Sequence, residues 1–282
     1  MLPHESEAQA EIGVTYQPYI DRMAALHDAV VGMMTVDTWT IRNRPDNTPF
    51  VVDIMRGLLT KALKTSRAIQ ILCERGLGED ANALLRVLLE TTMPALYILK
   101  SNSQQRAQIY FAYTLNQQLK MFNDWRKTKG FKRRVTKKQI EALKAAIADV
   151  TKTLPPGTDY KRHWSGSGSL EEAIKSLKAD SLYSVVYRHL SAVAHASDVG
   201  LHFETDADGE LIWQLTPRVD GIVGPSFMAR ELLWILATSI DKTLGLGFKD
   251  ALAPHRVTGP EQVEAQALVA QNRKGLLSGS AD

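Results

Sequence analysis

From Glu79 to about Lys100 the chain is apolar nearly all round. A helix of that composition offers water no face, so other helices must surround it. The rest of the chain supplies them. Residues 6–36 repeat apolar side chains at helical spacing (Ile12, Tyr16, Tyr19, Ile20, Met23, Leu26, Val30, Met33), with Pro18 marking either a kink or the true start. Thr48-Pro49 pairs an N-cap with a proline at the first helical position, opening an amphipathic helix that stops at Gly76. Ser103 starts a helix that reaches Trp125, and Thr136 with Gln139 forms a capping box for another to about Lys152. Ser169 with Glu172 repeats that signal for a short helix to about Lys178, after the loop Leu154–Gly168. Asp180–Val199 and Pro225–Leu246 complete the set, and Pro94 is expected to bend the apolar helix.

Leu201–Thr205 and Glu210–Leu215 read as short strands around an Asp-Gly turn at Gly209. Neither an internal repeat nor a βαβ alternation is present. The expectation is an all-α fold: a bundle of about seven to nine helices with one small β-hairpin insertion. It forms one helical domain over residues 1–252, with a core from about 50 to 245. Residues 253–282 are expected to be a weakly helical to mobile tail.

Composition narrows the function. The single cysteine, Cys73, excludes an internal disulfide and sits in an apolar helical pattern, as a buried packing residue does. The N-terminus is acidic and lacks the apolar stretch of a signal peptide. Ala83–Leu99 carries Arg86 and Glu90 and is too short and charged to span a membrane. A soluble cytoplasmic protein is expected. Net charge is only +3, but residues 126–138 hold eight basic side chains and no acidic one. Phe131 stands in the middle of that turn, able to stack on a base. The turn is either a solvated loop or a nucleic-acid contact through Lys127, Lys129, Lys132, Arg133 and Arg134. No phosphate-binding loop and no dinucleotide fingerprint is present, and no cofactor is expected.

Asp180–Val199 concentrates the chemistry. Asp180 is placed to cap it and Gly200 follows its end. Ser184, Arg188, Ser191 and His195 recur at helical spacing, which puts Arg188 and His195 nearly in line and roughly 10 Å apart along the axis. Small residues around them leave room for a phosphate. Arg86 and Glu90 stand four residues apart and either pair locally or send Glu90 to a cation on the Asp180–Val199 helix. His195, Asp198, His202 and Glu204 are a possible metal set, although the helix end at Gly200 leaves their geometry undefined and no zinc motif is present.

On Arg188–His195 the sequence resembles the HEPN superfamily (higher eukaryotes and prokaryotes nucleotide-binding domains). That signature is an arginine followed by a polar residue and, four to six residues on, a histidine. Here His189 follows Arg188, and six residues separate Arg188 from His195, the long end of that gap. The order LLRVLLE (84–90), HWSG (163–166), YSVVYRHLSAVAH (183–195) is also similar to a bacterial family of uncharacterised helical proteins, over roughly residues 50–245. The HEPN resemblance implies a metal-independent endoribonuclease, a toxin or phage-defence effector. Arg188 and His195 would be catalytic, with Glu90, Tyr187 and Ser191 supporting them. It further implies RNA as substrate, a homodimer, and an antitoxin or regulatory protein as a possible partner. The competing reading is a non-catalytic helical binding, regulatory or scaffold protein.

Overall fold

The structure, a computed structural model, describes residues 5–36, 39, 49–131, 134–166, 169–178, 187, 190–191, 193, 203–205, 209–213, 221–261, 263–264 and 267. The fold is all-α. The helices are α1 (Glu5–Thr15), α2 (Gln17–Thr35), α3 (Pro49–Glu74), α4 (Gly78–Lys100), α5 (Ser103–Lys127), α6 (Lys137–Thr151), α7 (Leu170–Ser176), α8 (Val223–Leu244) and α9 (Lys249–Leu252). Ahead of α8, β1 (Phe203–Thr205) pairs antiparallel with β2 (Leu211–Trp213), Phe203 opposite Trp213. Among the described residues no helix is long and apolar enough to cross a membrane.

Local chemistry accounts for most helix ends. Tyr16 separates α1 from α2, and Pro18 lies in the first turn of α2, so that proline marks a start. Gly76 follows α3 in the left-handed conformation at φ 74°, and its N–H and that of Leu77 return to the carbonyls of Cys73 and Leu72. Thr136 and Gln139 form the capping box of α6. Ser169 Oγ accepts from the Glu172 N–H at 3.2 Å. Ser103 is not the cap of α5. It is the first helical residue, and Asn102, at φ 49°, is the N-cap without a side-chain bond. An Asx side chain tolerates that left-handed position better than most residues.

The described chain falls into two compact units. One comprises Met1–Arg42, Leu58–Thr92 and Ser184–Asp282. Within it α2 packs on α8 and α9. α2 buries Tyr19, Met23, Leu26, Val30 and Met33, and α8 buries Ala229, Leu232, Leu233, Leu236 and Ile240. Each Leu, Ile, Val or Met among them contributes about 1.5–3 kcal/mol on leaving water. Cys73 is fully buried with its thiol toward the Ile222 carbonyl, 3.7 Å away. Gly78 abuts backbone: a Cβ there would lie 2.3 Å from the Gly221 oxygen.

The same unit contains a buried guanidinium. Arg230 on α8 is 3% exposed, and Glu261 meets it with two bonds of 2.6 Å. Arg22 on α2 donates to the same carboxylate at 2.6 Å, and the Thr258 N–H donates at 3.3 Å. Residues 253–282 were expected to be a weakly helical to mobile tail. In its described part, residues 259–261, 263–264 and 267 are helical, and Glu261 and buried Val257 dock the segment. A charge on α8 that is removed from water requires a partner, and this segment supplies it.

The other unit comprises Asn43–Gly57 and Met93–Tyr183. Its centre is the packed pair α5 and α6. The turn His163–Gly166 plugs it. Trp164 meets Tyr97 and Tyr110 edge-on at 5.6 and 6.4 Å, and Arg106 lies 3.9 Å over the Tyr97 ring. Gly166 adopts φ 73°, and a Cβ on it would press on Ile109 at 3.2 Å.

Three substitutions test this packing. Gly78→Ala forces backbone apart and lowers stability by about 1–3 kcal/mol in urea denaturation. Gly57→Ala, exposed in α3 with nothing near its Cβ, raises it by about 0.5–1 kcal/mol. Glu261→Gln strands Arg230 and costs about 3–5 kcal/mol at neutral pH. Although burial opposes the charge, the bonds from Arg230 and Arg22 hold the Glu261 carboxyl down at about 2, against an ordinary 4.5. Its stabilising contribution is therefore full above about pH 4.5 and is lost as pH falls towards about 2. Stability curves of wild type and Glu261→Gln should converge over that interval; curves that stay parallel contradict the assignment.

Candidate functional site

α4 carries two charged side chains on its solvent-facing edge, and one tyrosine meets both. Arg86 Nε donates to Glu90 Oε1 at 3.0 Å, an i,i+4 pair along the helix. Arg86 Nη2 donates to the Tyr187 hydroxyl at 3.3 Å, and that hydroxyl donates onward to Glu90 Oε1 at 3.2 Å. The guanidinium carbon of Arg86 stands 5.2 Å from the Tyr187 ring centroid, adding a cation–π contact. Glu90 thus takes the local pairing, and its second donor is a phenol rather than a cation.

Electrostatics favour the protonated forms of Tyr187 and Arg86. Burial, and then the Glu90 charge, hold the Tyr187 phenol above its usual range, so it remains a donor. Burial disfavours the Arg86 cation, but Glu90 and Tyr187 outweigh it and push its pKa up. Tyr187, Leu190, Ser191 and Val193 are helical. Leu190 is buried and Ser191 half-buried. Arg188 and His195 lie outside the described residues, as do His189 and the Asp180 cap. Of the alternative metal set, His195, Asp198 and His202 also lie outside, and Glu204 is described only as part of β1. Among the described residues no three His, Cys, Asp or Glu side chains converge on a common point.

In the other unit, the basic turn between α5 and α6 is built on aromatic rings. Phe122 stacks on Trp125 at 5.8 Å, Trp125 meets Phe131 at 6.2 Å, and Arg134 lies 5.0 Å over Phe131. Phe131 remains 40% exposed. Gly130 turns the chain at φ 91°, and buried Val135 anchors the far side. Lys127 is 79% exposed on its side chain, 3.6 Å from Asp124. Lys129 and Arg134 are exposed, whereas Lys132 and Arg133 lie outside the described residues. Lys137 and Lys138 stand in the first turn of α6, which holds no acidic residue. Cations are unfavourable at that end of a helix, so Lys137 and Lys138 add to a positive field that suits an anion.

A family sequence model matches residues 52–211, more than half of the chain. The chain belongs to that family, a family of unknown function (DUF5677). No curated protein and no solved structure matches. The DUF5677 span contains the Arg86–Glu90–Tyr187 triangle, the basic turn and the His163–Gly166 plug; Arg22, Arg230 and Glu261 fall outside it. The family description assigns no activity.

The HWSG stretch is packing chemistry. His163 Nδ1 lies 2.7 Å from Ser165 Oγ and accepts from the Ser165 N–H at 3.3 Å, while its ring lies 4.8 Å from Trp164. Burial lowers its pKa, so it is neutral at pH 7. Sequence reasoning left Arg86 and Trp125 out of the candidate sites. The signal for Arg86 was its i,i+4 relation to Glu90 on an otherwise apolar helix. A double-mutant cycle on Glu90→Gln and Tyr187→Phe should give a coupling of about 0.5–1.5 kcal/mol by chemical denaturation, and additivity would exclude the bond.

Proposed function

We propose that this DUF5677 chain is a metal-independent endoribonuclease of HEPN type, acting as a toxin or phage-defence effector. The observation that carries the reading is the triangle at Tyr187, the chain neighbour of Arg188. Tyr187 itself is held between a cation and a carboxylate, and catalysis by its neighbour Arg188 would need that kind of positioning. The aromatic, acid-free basic turn supports RNA as the substrate.

The reaction needs no nucleophile from the protein. The ribose 2′-oxygen attacks the adjacent phosphorus, and the P–O5′ bond breaks. A 2′,3′-cyclic phosphate and a 5′-hydroxyl result. One proton leaves the 2′-hydroxyl and one reaches the departing 5′-oxygen. His195 serves proton transfer, since an imidazole titrates near neutral pH. Arg188 neutralises the charge that builds on the phosphorane oxygens. A homodimer would bring two such motifs together, and an antitoxin or regulatory protein would restrain them.

A second reading has its own support. Glu90 and Tyr187 bond to Arg86 and to each other, as in a structural cluster, which favours a non-catalytic helical binding or scaffold protein. One experiment separates the two. Purified wild type should cleave RNA in EDTA, with His195→Ala and Arg188→Ala each reduced by about 100-fold or more and unchanged in circular dichroism. Replacing Lys127, Lys129, Lys132, Arg133 and Arg134 by alanine should weaken RNA binding and flatten its salt dependence. RNA binding without cleavage selects the second reading, and neither activity removes RNA from the account.

A further inference from the structure

Outside the DUF5677 span, α2, α8 and the residues after α9 border an open cavity of about 400 Å³. Arg22, Arg230, His255, Arg256, Glu261 and Glu264 line it, three guanidinium groups against two carboxylates. Glu261 is fully committed, because its oxygens take Arg22, both terminal nitrogens of Arg230, and the Thr258 N–H. Glu264 is exposed, and water screens its charge.

Donors remain after that pairing. Arg256 lies 5.6 Å over the Trp234 ring and has no hydrogen-bond acceptor among the described residues. The Nε–H of buried Arg230 is without a partner. His255 is half-buried, and burial together with the Arg230 charge holds its pKa below the usual range. The half-buried Glu231 carboxylate also attracts Arg256 and Arg230, and an anion would complete the unfilled buried N–H and the hydrogen-bond donors of Arg256 and His255 beside it.

We infer that this cavity binds a small phosphate-bearing molecule, with Arg256 and His255 contacting the phosphate and Arg22 flanking it. The carboxylate-sized place between Arg22 and Arg230 is already filled by Glu261. The remaining donors come from separate points of the chain, which suits the several oxygens of a phosphate better than the two of a carboxylate. The volume is that of a small-molecule site, whereas an RNA strand requires a groove that continues beyond it. Binding would join α2 to the docked segment and tighten the grip of Glu261. The inference stands apart from the ribonuclease reading, because nothing in the test depends on cleavage.

The 282-residue chain is titrated with inorganic phosphate by calorimetry and thermal denaturation, beside sulfate, acetate and chloride at matched ionic strength. Phosphate should give a saturable isotherm and a Tm rise of a few degrees at about ten times its Kd. Acetate and chloride should give neither. Arg256→Ala and His255→Ala, neither of which removes a bond of the buried Arg230–Glu261 pair, should each weaken phosphate by about tenfold, and Lys249→Ala outside the lining should bind as wild type does. A linear, non-saturating stabilisation shared by phosphate and sulfate and unchanged in the variants is solvent exclusion and overturns the proposal. Acetate binding as tightly as phosphate overturns the ligand class. Competition between phosphate and a short single-stranded RNA makes the strand the occupant and overturns the small-molecule assignment.

Discussion

Arg230 is a cation placed inside a helical core, and the unit around it closes only because a carboxylate comes to meet it. A lone buried guanidinium loses its hydration without recompense. Glu261 supplies two short bonds, and its spare acceptor capacity then draws in Arg22 from α2 and the Thr258 N–H. One carboxylate thereby ties the first long helix, the last long helix and the segment behind them. The basic recess beside it follows from the same constraint: the residues that bring Glu261 into place carry His255 and Arg256 with them.

This contact shows where sequence reasoning succeeds and where it fails. Long helices with one apolar stripe were legible, because burial of α2 and α8 follows the 3.6-residue period. The Thr136–Gln139 box was legible because it is chemistry between near neighbours. The docking of Glu261 was not. A glutamate in a weakly patterned stretch resembles a solvated residue, and its partner is 31 positions away. The readable half of the signal was Arg230, standing between Ala229 and Leu232 on the buried stripe of α8. A charge at a core position predicts a partner without naming it. The His163–Gly166 plug was missed for a related reason: a Ser- and Gly-rich loop reads as surface, and only the rings of Tyr97, Tyr110 and Trp164 make it interior.

The candidate site divides similarly. The Arg86–Glu90 pair was visible as an i,i+4 relation, but the phenol that joins them comes from position 187, a hundred residues on. It turns a surface ion pair, worth little by itself, into a three-member network that holds the chain just before Arg188. The basic turn was visible by charge alone. Its aromatic support, Phe122 against Trp125 against Phe131, gives the charge a rigid base on which a nucleobase can lie.

The central claim is that the substrate's own 2′-hydroxyl performs the attack. The most direct measurement is the end chemistry of RNA cut by the purified chain in EDTA. A 2′,3′-cyclic phosphate on one fragment and a 5′-hydroxyl on the other is the predicted result. A 3′-hydroxyl with a 5′-phosphate would mean that water or another nucleophile made the cut, and would contradict the account.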